Sequence, residues 1–155
     1  MKLALVAVCT LGLTAAWAQD PKKIAEAITA HDKNNPKALN PQCKLFTAAE
    51  LSKYAGTALK GPENATGGCI WYAAKGEGDV MVTVVSANYH TEPKLAKGYK
   101  TLPDVGTKGS VCPEMGGWVA RAIQGGNSIG ASVSGPAASE ANAVALLKEA
   151  MKRVK

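Results

Sequence analysis

The run Cys112-Pro-Glu-Met-Gly-Gly-Trp118 places a thiol, a thioether, a carboxylate and an indole within one short stretch. Sulfur donors at Cys112 and Met115, joined by the imidazole of His90, have the softness that copper(I) prefers, and the thiol alone has redox capacity. The spacing is not that of a metal motif. The competing reading is a loop that enters a hairpin, with Pro113 and the Gly116-Gly117 pair shaping the turn and Trp118 opening a strand. On that reading Cys112 is an unpaired or alternatively paired thiol, and the proline and glycines around it favour exposure over burial.

Other chemistry is sparse. The histidines, His31 and His90, stand far apart and outside any metal-ligating spacing, and no Gly-x-Ser-x-Gly elbow or phosphate-binding loop occurs. Glu77 and Asp79 are the closest approach to a carboxylate pair, and their place between two strand-like runs makes them turn formers. Trp71 and Trp118, with Tyr72 on the opposite pleat from Trp71, are candidates for lining an apolar pocket. These residues predict no catalytic centre and no cofactor.

The beginning of the chain sets the expected compartment. Lys2 precedes an apolar run that closes on Ala16-Trp17-Ala18, after which Gln19-Asp20-Pro21-Lys22-Lys23 is abruptly polar. This is the pattern of a secretory signal peptide over residues 1–18, and no later segment is apolar and long enough to span a bilayer. A periplasmic or secreted protein is expected. Three cysteines, Cys43, Cys69 and Cys112, then meet an oxidising environment, where two should pair and the odd one could join two chains as a disulfide-linked dimer. Three pairings are open at this point.

The formal net charge is +6, yet its lysines are dispersed and aromatic residues make up only 5% of the chain, so a nucleic-acid footprint is absent. Elements that would position the residues above can be read from periodicity. Ile24, Ala25, Ala27 and Ile28 predict a short helix ahead of Asn34-Asn35-Pro36, so residues 19–39 form an N-terminal helix and linker. Thr47 and Glu50 have capping-box spacing ahead of a helix over Ala48 to Ala55, with Gly56 ending it. A loop is expected from Thr57 to Gly68. Cys69–Lys75 and Val80–Ser86 read as one hairpin, and Trp118–Gln124 and Ser128–Ser134 as another. Ser139 can cap a long terminal helix in which Val144, Leu147, Met151 and Val154 recur at helical spacing. The expected fold over residues 40–155 is therefore α+β, an antiparallel sheet built from two hairpins and packed on one face by helices, including the C-terminal one.

The segments "PQCKLFTAAELSKYAG", "CIWYAAKGEGDVMVTVV" and "LPDVGTKG", with a Gly-Gly-turned hairpin and an alanine-rich last helix, resemble small exported bacterial domains of unknown function that have PsbP-like α/β sandwich relatives. The resemblance spans roughly residues 40–154. It implies a Cys43–Cys69 disulfide, which would leave Cys112 as the free thiol. Departures are the extra N-terminal helix, the lack of a lipid-bearing cysteine, and Cys112 itself. The combined reading is a noncatalytic exported binding or interaction module of the cell envelope, whose partner is a small molecule or an envelope protein. A soft-metal-binding or thiol-redox protein using Cys112 and Met115 is the alternative.

Overall fold

A computed structural model describes residues 38–154 of the chain. The expected signal peptide and the N-terminal helix lie outside the described residues. Thr47 caps the first helix, α1 (Ala48–Ala55), through a reciprocal box: its hydroxyl accepts from the Glu50 amide while the Glu50 carboxylate accepts from the Thr47 amide at 2.7 Å. Gly56 ends the helix with φ 72°, a left-handed conformation in which an added Cβ would also lie 2.6 Å from that of Ala137. The second helix, α2 (Glu140–Arg153), starts at Ser139, whose hydroxyl accepts from the Asn142 amide.

Between the helices the chain makes seven strands: β1 (Leu59–Ala65), β2 (Gly68–Ala73), β3 (Asp79–Ser86), β4 (Lys100–Thr101), β5 (Thr107–Glu114), β6 (Gly117–Gln124) and β7 (Asn127–Val133). They form one antiparallel sheet in the order β1-β2-β3-β7-β6-β5-β4. The fold is α+β, and its sheet is larger than one built from two hairpins. Residues 59–65 are a strand where a loop was expected. Pro62 and Gly61 sit there because β1 is the sheet edge and its register shifts between Lys60 and Glu63, a bulge that accommodates a residue without an amide proton. Residues 107–114 are likewise a strand, so Cys112 lies within the sheet rather than in a loop.

Register divides the sheet into two unlike faces. Val80, Val82, Ala131, Val133, Ala120, Ala122 and Val111 face the helices, where Leu51, Leu146 and Leu147 close the core. Cys69 and Trp71 share that face, and Cys69 forms a disulfide with Cys43 across 5.2 Å between Cα atoms. The bridge ties the short 3-10 turn Pro41–Lys44 to β2.

The start of α1 and the end of α2 meet at Arg153. Its guanidinium donates to the Leu45 carbonyl at 2.6 Å and to Glu50 at 3.0 Å, and it stands 4.2 Å from the centroid of the Phe46 ring. The Thr47 amide, with Arg153 second, lowers the Glu50 carboxyl from 4.5 to about 2. Because the folded value is the lower one, this stabilisation is complete above about pH 5 and is lost as the pH falls towards 2.

Two outcomes follow from these contacts. Closing the 26-residue separation between Cys43 and Cys69 should contribute about 3.5 kcal/mol in the chain-entropy model, so the C43A/C69A protein should melt well below the native one. Arg153→Ala should cost about 1–2 kcal/mol at neutral pH through lost packing and hydrogen bonds, and should flatten the acid limb of the stability profile in urea titrations. An unchanged acid limb would remove Arg153 from that linkage.

Candidate functional site on the second face of the sheet

The face away from the helices is only partly covered. After β3 the chain must reach the far edge of the sheet, beyond β7, β6 and β5, and the helices occupy the other side. It makes this passage as a strap over residues 87–99. The strap starts where the Ala87 amide donates to the Gly126 carbonyl and the His90 Nδ1 lies 2.9 Å from the Ser128 hydroxyl. At its far end Gly98 lies against Pro113, since a Cβ there would be 3.0 Å from the proline ring. The two anchors lie towards opposite ends of the strands, so the strap runs obliquely across β7, β6 and β5.

Under this part of the second face Ser110, Cys112, Val119 and Ser128 are buried without belonging to the helix-side core. Cys112 is 3% exposed. Burial pushes its thiol above the ordinary range, while the neighbouring Arg121 guanidinium pulls the other way less strongly. A protonated, enclosed thiol is a small apolar side chain, and a poor nucleophile at neutral pH. The exposed-thiol expectation is therefore corrected. Glycines at the neighbouring turn say little about a residue that the pleat directs under a long-range crossing.

The other sequence candidates are dispersed. Met115 occupies the β5–β6 turn at φ 49°, 97% exposed, whereas Cys112 is enclosed. His90 is engaged with Ser128. Among the described residues no three His, Cys, Asp or Glu side chains converge as a metal site would require. Trp71 is fully buried on the helix face, Trp118 is half-buried on that face, and Tyr72 is exposed on the other. A wide-open depression of about 630 Å³ lies elsewhere, between α2 and the 104–106 turn.

What the second face does assemble is a shelf beside the strap. Two rows cross it: Ile70, Met81 and Ser132 in one, and Thr83, Gly130 and Arg121 in the next. Gly130 lets the Thr83 side chain lie across β7, because a Cβ there would meet the Thr83 hydroxyl at 2.5 Å. Arg121 reaches along the sheet to Glu114 at 2.9 Å and keeps a quarter of its side chain exposed. Hydroxyls at Thr83 and Ser132 thus border an apolar floor of Ile70, Met81 and the exposed Tyr72, while the Arg121 guanidinium lies beyond them, beside Glu114 and Cys112 of β5. A few polar groups over an apolar base is the make-up of a binding surface. Sequence reading missed the shelf because its members come from β2, β3, β6 and β7. The one local signal was Gly130 within an otherwise alternating strand, which marks a close approach or a missing side chain.

Enclosure of Cys112 should be visible chemically. In the native protein at neutral pH, alkylation of Cys112 should be at least about tenfold slower than after unfolding, and the rate should rise only at alkaline pH. The folded thiol binds its proton more tightly than the unfolded one, so the stability it contributes is present below the unfolded pKa and is lost as the pH climbs through the alkaline range. Mass mapping of labelled peptides reads both effects. Rapid native labelling would mean that the strap does not close over the thiol.

No protein-family model, curated protein or solved structure matches the chain, so a functional reading rests on the two faces of its own sheet.

Proposed function

We propose that the protein is a noncatalytic exported binding module that holds its ligand on the shelf of the second sheet face. The observation carrying this reading is the unequal covering of that face: the strap closes one half and leaves Ile70, Tyr72, Met81, Thr83 and Ser132 on the other. The chemistry suits a partly apolar small molecule, or a segment of an envelope protein, that also offers hydrogen-bonding groups to the two hydroxyls. The Cys43–Cys69 bridge supports an oxidising compartment. Among the described residues no helix is long and apolar enough to cross a membrane.

A catalytic reading has one hydroxyl–imidazole contact to draw on, Ser128 with His90. It is a weak basis, since Ser128 is 6% exposed and the contact fastens the strap to β7. The thiol-redox alternative is disfavoured by the same enclosure, which keeps Cys112 protonated.

The test uses protein isolated from the exported fraction of cells and observed by native mass spectrometry. Wild type should carry an added mass that dissociates on unfolding, and Met81→Glu, which puts a charge on the apolar floor, should lose at least about nine-tenths of it, equivalent to a tenfold weaker complex. The Glu77→Gln protein, altered in the β2–β3 turn, should retain it. A wild-type protein with no added mass, or the same mass on the Met81 variant, would defeat the assignment.

A further inference from the structure

We infer that the end of the sheet carrying the β5–β6 turn is a peripheral docking surface for an anionic lipid bilayer, with Leu95 and Met115 as its apolar tips. Leu95 is 102% exposed and Met115 97%, the two largest exposures among the large hydrophobic residues of the described chain. Both sit in the middle of tight turns. The Ala96 amide donates to the Pro93 carbonyl, which puts Lys94 and Leu95 at a turn apex, and Met115 with Gly116 forms the left-handed pair between β5 and β6. Side chains at such apices point away from the fold and cannot be drawn into its core. The primed turn favours Asn-Gly, so a methionine there is held against local preference.

The two apices belong to one end of the molecule. β4 pairs with β5 through Lys100 with Val111 and Thr101 with Ser110, and continuing that register outward sets Gly98 beside Pro113. Two residues further along β5 is Met115, and three residues back along the strap is Leu95.

Charge complementarity selects the occupant. Leu95 stands between Lys94 and Lys97 in "KLAK", and Tyr99 and Lys100 follow. The side chain of Lys94 is 69% exposed beside Glu92, that of Lys100 is 59% exposed beside Glu140, and Lys97 has no ion-pair partner among the described residues. The nearby carboxylates are each held by a cation, Glu92 by Lys94, Glu140 by Lys100 and Glu114 by Arg121. Among the described residues this leaves Lys97 as the unpaired charge beside the apolar tips and Tyr99, a layering that matches a bilayer surface, where anionic headgroups lie over acyl chains. An apolar protein groove would accept the tips but gains nothing from the lysines. The inference is independent of the shelf, which lies on the face of the sheet rather than at its end.

Full-length mature protein should cosediment with vesicles of phosphatidylglycerol and phosphatidylcholine in equal parts, and scarcely with phosphatidylcholine alone. The interaction should weaken with added salt. Lys97→Glu should reduce the partition coefficient by at least about fivefold, and L95D/M115D by at least about tenfold, each with an unaltered melting temperature. Equal partition of wild type and L95D/M115D, or no partition onto the anionic vesicles, would overturn the inference. So would a concentration-dependent dimer abolished by L95D/M115D, since a second copy would then cover the tips.

Discussion

The pairing of β3 with β7 is the constraint from which the other features descend. It joins a three-strand meander to a four-strand one, and its seven consecutive register pairs run from Val80 with Val133 to Ser86 with Asn127. Once the last strand must lie beside the third, the fourth has to begin at the opposite edge. The chain after Ser86 therefore crosses three strands before it can resume pairing. The helices have taken the side bearing Val82, Ala131 and Ala120, so only the other side is free for the strap. Topology thus produces the asymmetry of the second face before any side chain there is specified.

Side chains then match this asymmetry. Beneath the strap lie Ser110, Ser128, Val119 and Cys112, small groups that permit close passage of irregular backbone. Buried backbone and hydroxyl groups need partners, and the contacts at Gly126 and Ser128 meet part of that need at the strap's first turn. The Nε2 of His90 is left enclosed without a protein partner, a cost that the fold carries where the strap first touches β7. On the helix face the demands are different. There Val, Ala, Leu and Ile dominate, and the disulfide adds restraint at the end of the sheet where α1 supplies only two turns of helix.

Legibility in the sequence followed the range of the interaction. The capping box at Thr47 and Glu50, the Gly56 stop and the alternation from Ser128 to Val133 depend on neighbours within a few residues, and each was readable. β1 was not, because Gly61, Pro62 and Asn64 speak against a strand everywhere except at an edge. β5 was hidden for a related reason. Pro113 lies beyond the last β4–β5 pair, where an amide directed at that neighbour would have had nothing to bond, so the ladder loses nothing by it. The shelf was beyond local reading altogether, since the close approach of Thr83 over Gly130 joins two strands far apart in sequence.

Cys112 shows how the same topology governs reactivity. A thiol beside a guanidinium is often an activated one, because the positive charge favours the thiolate. At Cys112 the Arg121 charge is shared with Glu114, held at 2.9 Å, and the sulfur lies in a covered part of the sheet. Desolvation outweighs the attraction, so the balance tips towards the thiol. The chemical character of this cysteine is thus set by its burial on the second sheet face, with Arg121, seven residues from Glu114 and joined to it, too neutralised to activate the thiol.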